Sequence, residues 1–143
     1  MAPHQYVIIV GCGRLGAMLA NQLSGRGGSV VVVDCDEAAF KHLSAEFSGF
    51  QVTGNAAELA VLRQAKIEKA DCLFATTQYD NVNLMVAQVA KTIFGVPKVI
   101  ARIFDPQRES VYGQFGIETI CPTRLSAQAF LNALRDQPES EQP

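Results

Sequence analysis

Short apolar runs alternate along the chain with longer stretches in which apolar residues return every three or four positions. Tyr6 to Val10, rich in branched residues, predicts a strand. The helical pattern that follows puts Leu15, Met18, Leu19 and Leu23 on one face and is stopped by Gly25, Gly27 and Gly28. Val30 to Val33 is an uninterrupted apolar strand of the kind a parallel sheet buries on both faces. Glu37 to Phe47 then reads as helix, Phe50 to Thr53 as strand, Glu58 to Ala65 as helix and Cys72 to Ala75 as a fourth strand. Asn81 to Phe94 is the longest helical pattern, with Val82, Met85, Val86, Val89 and Ile93 on one stripe. Lys98 to Ile103 predicts a fifth strand, Pro106 to Phe115 a helix and Ile117 to Cys121 a sixth strand. A last amphipathic helix, Thr123 to Arg135, carries Ala127, Phe130, Leu131 and Leu134 on its apolar face.

Six strands with intervening helices predict a Rossmann-like, doubly wound α/β sheet of six mainly parallel strands, with an additional C-terminal helix. The expected strand order is 3-2-1-4-5-6, with the turn after the first strand at the switch point. Residues 1–135 are expected to form one domain and 136–143 a polar, frayed tail.

The chain has 143 residues, 48% of them apolar, enough for one core. A net charge of −2 without long blocks of either sign argues against a nucleic-acid surface. No apolar stretch approaches the ~20 residues that span a bilayer, so no direct membrane insertion is expected. The opening Met-Ala-Pro-His-Gln-Tyr lacks a secretory pattern, and a cytoplasmic location is expected. The four cysteines (Cys12, Cys35, Cys72 and Cys121) form no C-x-x-C pair and no zinc set. Cys72 and Cys121 read as packing residues. Cys12 and Cys35 fall in candidate ligand loops, without an obvious base to activate either thiol.

The first strand runs into Gly11-x-Gly13-x-x-Gly16. Alone this spacing is a weak signal, because glycines also serve ordinary tight turns. Here a strand precedes it, a helix follows, and a second strand ends in Asp34. Gly11 permits the turn, Gly13 leaves room for a pyrophosphate and Gly16 lets the helix approach the sheet. The amides that open the helix then hold the anion. Asp34 suits the two hydroxyls of an adenosine ribose and would repel a 2′-phosphate, which disfavours NADP. Its alternative is a solvated acid at a strand end. Asp36 is either a further ligand or the N-cap of the next segment. Arg14 lies within the turn, where its guanidinium can grip a terminal phosphate such as that of ADP or ATP. Its alternative is a solvent-facing side chain.

Two more loops converge on the same edge of the sheet. Gly54-Asn55-Ala56 follows the third strand, where Asn55 can bond the base or ribose. Thr76-Thr77 ends the fourth strand, with a cap on the helix that follows as the alternative role for Thr77 or Asp80. Chemistry is harder to find. His4 lies before the first strand and His42 reads as sitting on a helix away from the carboxyl edge, so no general acid or base is evident. The pattern favours a binder over a catalyst, with a small NAD-dependent oxidoreductase, or its cofactor-binding half, as the alternative.

The stretches "IIVGCGRLG", "VVVVDCD", "TGNAAE", "DCLFATTQYDNVN", "KVIARIFD" and "YGQFGIETICPT" occur in an order that resembles the RCK or KTN domain, the TrkA-N module of potassium channel and potassium uptake regulators. The resemblance covers roughly residues 6 to 134. It implies a cytoplasmic regulatory subunit that binds NAD(H), ATP, ADP or AMP, forms a homodimer or a larger ring, and gates a membrane potassium channel or transporter subunit. By the same resemblance Gly11, Gly13, Arg14, Leu15 and Gly16 hold phosphates, and Asp34, Cys35 and Asp36 border the ribose. Asn55 and Ala56 border the adenine, Thr76 and Thr77 line the phosphate side, and Arg102 makes phosphate or subunit contacts, the alternative being a strand-end pair with a surface acid. Two departures stand out. Asn55 replaces the family's usual acid, and the smaller C-terminal domain usual in the family is not found in this sequence.

Overall fold

Branched residues dominate the centre of the sheet. β1 (Tyr6–Val10) and β2 (Ser29–Asp34) pair in parallel from Tyr6 against Ser29 to Val10 against Val33. β3 (Phe50–Thr53) adds to the outer side of β2, and β4 (Cys72–Ala75) adds to the other side of β1. β5 (Lys98–Arg102) and β6 (Glu118–Ile120) complete the order β3-β2-β1-β4-β5-β6, every pairing being parallel. The expected order therefore holds, and β1 lies at the switch point. The computed structural model describes residues 5–136, so His4 and residues 137–143 of the expected tail lie outside the described residues.

Successive side chains of β1 and β2 enter opposite cores. Ile8, Val10, Val31 and Val33 meet Leu62, Val86 and Ala90 on one face. Val7, Ile9, Val30 and Val32 meet Ala17, Ala20 and Phe40 on the other. Among the helices are α1 (Arg14–Gly25), α2 (Leu59–Gln64), α3 (Asp80–Gln88), α4 (Glu109–Gly113) and α5 (Pro122–Arg135).

Helix faces and lengths depart from the apolar periodicity in instructive ways. On α1 the buried floor is Gly16, Ala17 and Ala20; Leu19 and Leu23 pack at its side, and Met18 is exposed. Small residues bring the helix axis close to the sheet and leave the larger chains at the rim. On α3 the floor is Asn83, Val86 and Ala87, whereas Met85 and Ile93 are exposed. The helix also stops at Gln88 and widens into a π-type turn over Val89–Ile93.

The expected helix over Glu37 to Phe47 is only a 3-10 turn over Glu37–His42. Ser44 and Ser48 beyond it donate their amides to Asn21 Oδ1 and Ser24 Oγ of α1, which holds the segment in a non-helical course. Pro106 to Phe115 likewise divides into a 3-10 turn over Pro106–Arg108 and the short α4. α5 forms as expected, but Phe130, Leu131 and Leu134 on its apolar face are all exposed.

Candidate functional site

The turn after β1 is built by close approach. Gly11 takes φ +106°, its amide donates to the Val33 carbonyl at 2.8 Å, and a Cβ there would lie 2.9 Å from the Thr77 nitrogen. A Cβ on Gly16 would collide with the Gly11 carbonyl oxygen. The buried Thr76 hydroxyl closes the turn from the other side, 3.1 Å from the Val10 carbonyl oxygen and 3.0 Å from that of Gly11. Gly13 differs from its neighbours. It is the N-cap of α1 with φ −81° and ψ −161°, and a Cβ placed on it would meet nothing within 4 Å. No side chain caps α1 and no acid lies in its first turn. Its opening amides are free for an anion.

This turn floors a cleft of about 1000 Å³ at the carboxyl edge of the sheet. Gly11, Gly13, Arg14, Leu15, Asp34, Cys35, Asp36, Asn55, Ala56, Thr76, Thr77 and Arg102 all line it; Gly16 supports the turn from beneath. Arg14 is exposed at the mouth. Asp34 is tied to the glycine turn, its Oδ2 accepting the Cys12 amide at 2.7 Å and its Oδ1 the Asp36 amide at 2.8 Å. Each oxygen keeps a second acceptor site. Asp36 caps the following turn by accepting the Ala38 amide at 3.0 Å. Asn55 closes its own turn on the Ala57 amide at 2.9 Å.

His42 also lines the cleft, contrary to its expected place away from the carboxyl edge. The 3-10 turn swings it back, so that Nδ1 lies 3.2 Å from the Cys12 carbonyl oxygen and 2.9 Å from that of Ala39. Both partners only accept, so Nδ1 carries the hydrogen. Nothing in the spacing of the sequence announces this, because it depends on the short turn.

Behind the cleft a buried amide joins two strand ends. Asn83, fully buried, accepts the Thr77 amide at 2.9 Å and the Thr77 hydroxyl at 2.6 Å on Oδ1. Its Nδ2 donates to the Thr77 carbonyl at 3.0 Å and the Arg102 carbonyl at 2.8 Å. Arg102 returns the tie by donating from Nη2 to the carbonyls of Thr76 and Thr77, and its guanidinium stacks 4.7 Å over the Phe104 ring. Burial lowers its pKa. Asp80 does not cap α3; it accepts the Phe104 amide at 2.8 Å and the Asp105 amide at 3.1 Å. Thr77 does not cap α3 either, its hydroxyl accepting the Tyr79 amide just ahead of the helix.

The thiol of Cys12 is fully buried, and burial together with the Asp34 charge pushes its pKa up to about 11. That leaves little thiolate near neutral pH and no reactive nucleophile at the turn.

A family model described as the TrkA-N domain matches residues 7–122. The chain belongs to the TrkA-N family. The Trk system potassium uptake protein TrkA of Streptomyces coelicolor is 41% identical to this TrkA-N chain over 129 residues, covering 90% of the chain and 58% of that relative. The chain thus spans about three-fifths of the length of that relative and between about a fifth and a half of the length of others it matches. Among solved structures, the TrkA-N domain of inner membrane protein YbaL from Escherichia coli superposes with a TM-score of 0.81 at 23% identity, covering 91% of this chain and 96% of that one. The Kef CTD of Shewanella denitrificans in an AMP-bound form gives 0.77 at 23% identity, covering 92% and 80%. The GsuK channel bound to ADP gives 0.72 at 20% identity, covering 85% and 32%. At these identities the structures establish the TrkA-N chain's fold, a Rossmann-like sheet that all three share.

Proposed function

We propose that this chain is the nucleotide-sensing part of a cytoplasmic regulator of potassium transport, taking an adenine nucleotide (NAD(H), ATP, ADP or AMP) in the cleft above α1. The observation that carries the proposal is the uncapped amino end of α1, opening beside Gly13 into a large cleft that Asp34 also lines. The helix end supplies donors and a partial positive charge for phosphate, and the carboxylate supplies acceptors for ribose hydroxyls. The same carboxylate sets the site against NADP. Family membership and the AMP- and ADP-bound neighbours support the choice of ligand. The potassium uptake relatives support a membrane channel or transporter subunit as partner. None of the described helices is long and apolar enough to cross a membrane. The uncovered apolar face of α5 supports pairing with a second copy.

A ligand biases a gate only by its difference in affinity for two arrangements of the assembly. Arg14, at the mouth of the cleft, supplies that difference by contacting a phosphate that one nucleotide has and another lacks. Equilibrium dialysis against labelled ATP, ADP, AMP and NADH tests binding. Arg14→Ala narrows the ATP/ADP affinity ratio if the assignment is right, and an unchanged ratio removes Arg14 from the sensing role.

A further inference from the structure

Building on the adenine-nucleotide reading, we propose that His42 reads the ribose beside Asp34, with Nε2 accepting a hydrogen bond from one of the two vicinal hydroxyls. Asp34 and His42 grip the same peptide residue from two sides. The carboxylate holds the Cys12 amide at 2.7 Å, and the imidazole Nδ1 lies 3.2 Å from the Cys12 carbonyl oxygen. The second Nδ1 contact, 2.9 Å to the Ala39 carbonyl, fixes the ring against its own turn. With the hydrogen on Nδ1, Nε2 is the ring's remaining polar atom and an acceptor. His42 is exposed and shares the cleft wall with Asp34, Ala39 and Asp36.

The chemistry that fits two acceptors lining one cleft is a pair of donors. A cis-diol offers one hydroxyl to each, whereas a deoxyribose leaves one acceptor unmatched. A 2′-phosphate brings only acceptor oxygens and negative charge to both. His42 is therefore a specificity-determining residue for ribonucleotides, and its grip on Cys12 positions the turn.

Calorimetry with ADP, 2′-deoxy-ADP and 3′-deoxy-ADP separates the two tasks when run on the wild-type chain, His42→Asn and His42→Gln. The Asn amide reaches the place of Nδ1 and keeps the bond to Cys12, but it has nothing at Nε2. The Gln amide reaches the place of Nε2 instead. The wild type is expected to prefer ADP over at least one deoxy analogue by roughly tenfold, the scale of one well-made hydrogen bond. His42→Asn should lose most of that preference with an unchanged melting temperature, and His42→Gln should keep it. Equal ratios in the wild type and His42→Asn, or no preference in the wild type, overturn the role of His42 while leaving nucleotide binding intact. A wild-type chain that binds none of the three overturns the nucleotide reading itself.

Discussion

Gly13 and Gly16 sit three residues apart and serve different physical ends. Gly16 is held against the Gly11 carbonyl, so any side chain forces α1 away from β1. Gly13 has backbone angles open to any L-residue and empty space where a Cβ would stand. Gly16→Ala should therefore cost about 3 kcal/mol or more of stability, the upper range for overpacking. Gly13→Ala should change stability by less than about 1 kcal/mol, since only an N-cap preference is altered. Chemical denaturation of the two variants reads the contrast; similar losses in both would show that Gly13 too is there for packing. The glycine spacing was legible in the sequence, and so was the acid at the end of β2. His42 was not, because its approach to Cys12 depends on a single 3-10 turn where helical periodicity predicted three turns of α-helix.

At the scale of elements, strands were easier to read than helix faces. The inner strands β1, β2 and β4 are short apolar runs and the strand order follows from the switch at β1, so local pattern and topology agree. α1 lies on the sheet through small residues and α3 through Asn83, Val86 and Ala87, and large apolar side chains such as Met18, Met85 and Ile93 are left exposed. A hydrophobic stripe drawn through the large residues is therefore rotated from the buried face. Asn83 illustrates the same limit. It is polar, yet it is fully buried because the ends of β4 and β5 present it with two donors and two acceptors. Asn83→Ala should cost roughly 1–3 kcal/mol, since the half-buried Thr77 amide and Arg102 carbonyl lose the partner that Asn83 gives them. It should also loosen the wall of the cleft at Thr77. Hydrogen exchange of the Thr77 amide, faster in the variant than in the wild type, reads the second effect; unchanged exchange and stability would contradict it.

Over the whole molecule, two buried thiols give the fold an alkaline limit. Burial pushes Cys12 and Cys72 up from 9.0 to about 11, aided at Cys12 by Asp34 and opposed at Cys72 by Lys98. In the unfolded chain each thiol ionises near 9, whereas the folded chain keeps it neutral until about 11. The unfolded state therefore binds fewer protons between those values, and stability present below pH 9 falls as pH rises toward 11. Tyr6, raised by burial and by Glu68, adds to the same slope. Melting temperatures between pH 8 and 11 should decline, and less steeply in Cys12→Ala/Cys72→Ala; identical slopes would show that the thiols contribute nothing. The other whole-molecule feature is asymmetry. The sheet is covered on both faces, whereas α5 is fastened mainly at its start, by Thr123 to the Phe104 carbonyl and Arg124 to Glu109, and presents its apolar face outward. The amphipathic pattern of α5 was plain in the sequence; that Phe130, Leu131 and Leu134 face outward was not, because the pattern gives a helix its apolar face and not what the face meets.

Binding at the amino end of α1 is tested most directly by titrating ADP into the wild-type chain and into Gly13→Ala in a calorimeter. The account predicts one nucleotide per wild-type chain and an affinity at least about tenfold weaker in Gly13→Ala, because the added methyl group occupies phosphate space without disturbing the fold. Equal affinities in the two proteins would place the nucleotide elsewhere, and an absence of binding to the wild type would contradict the account outright.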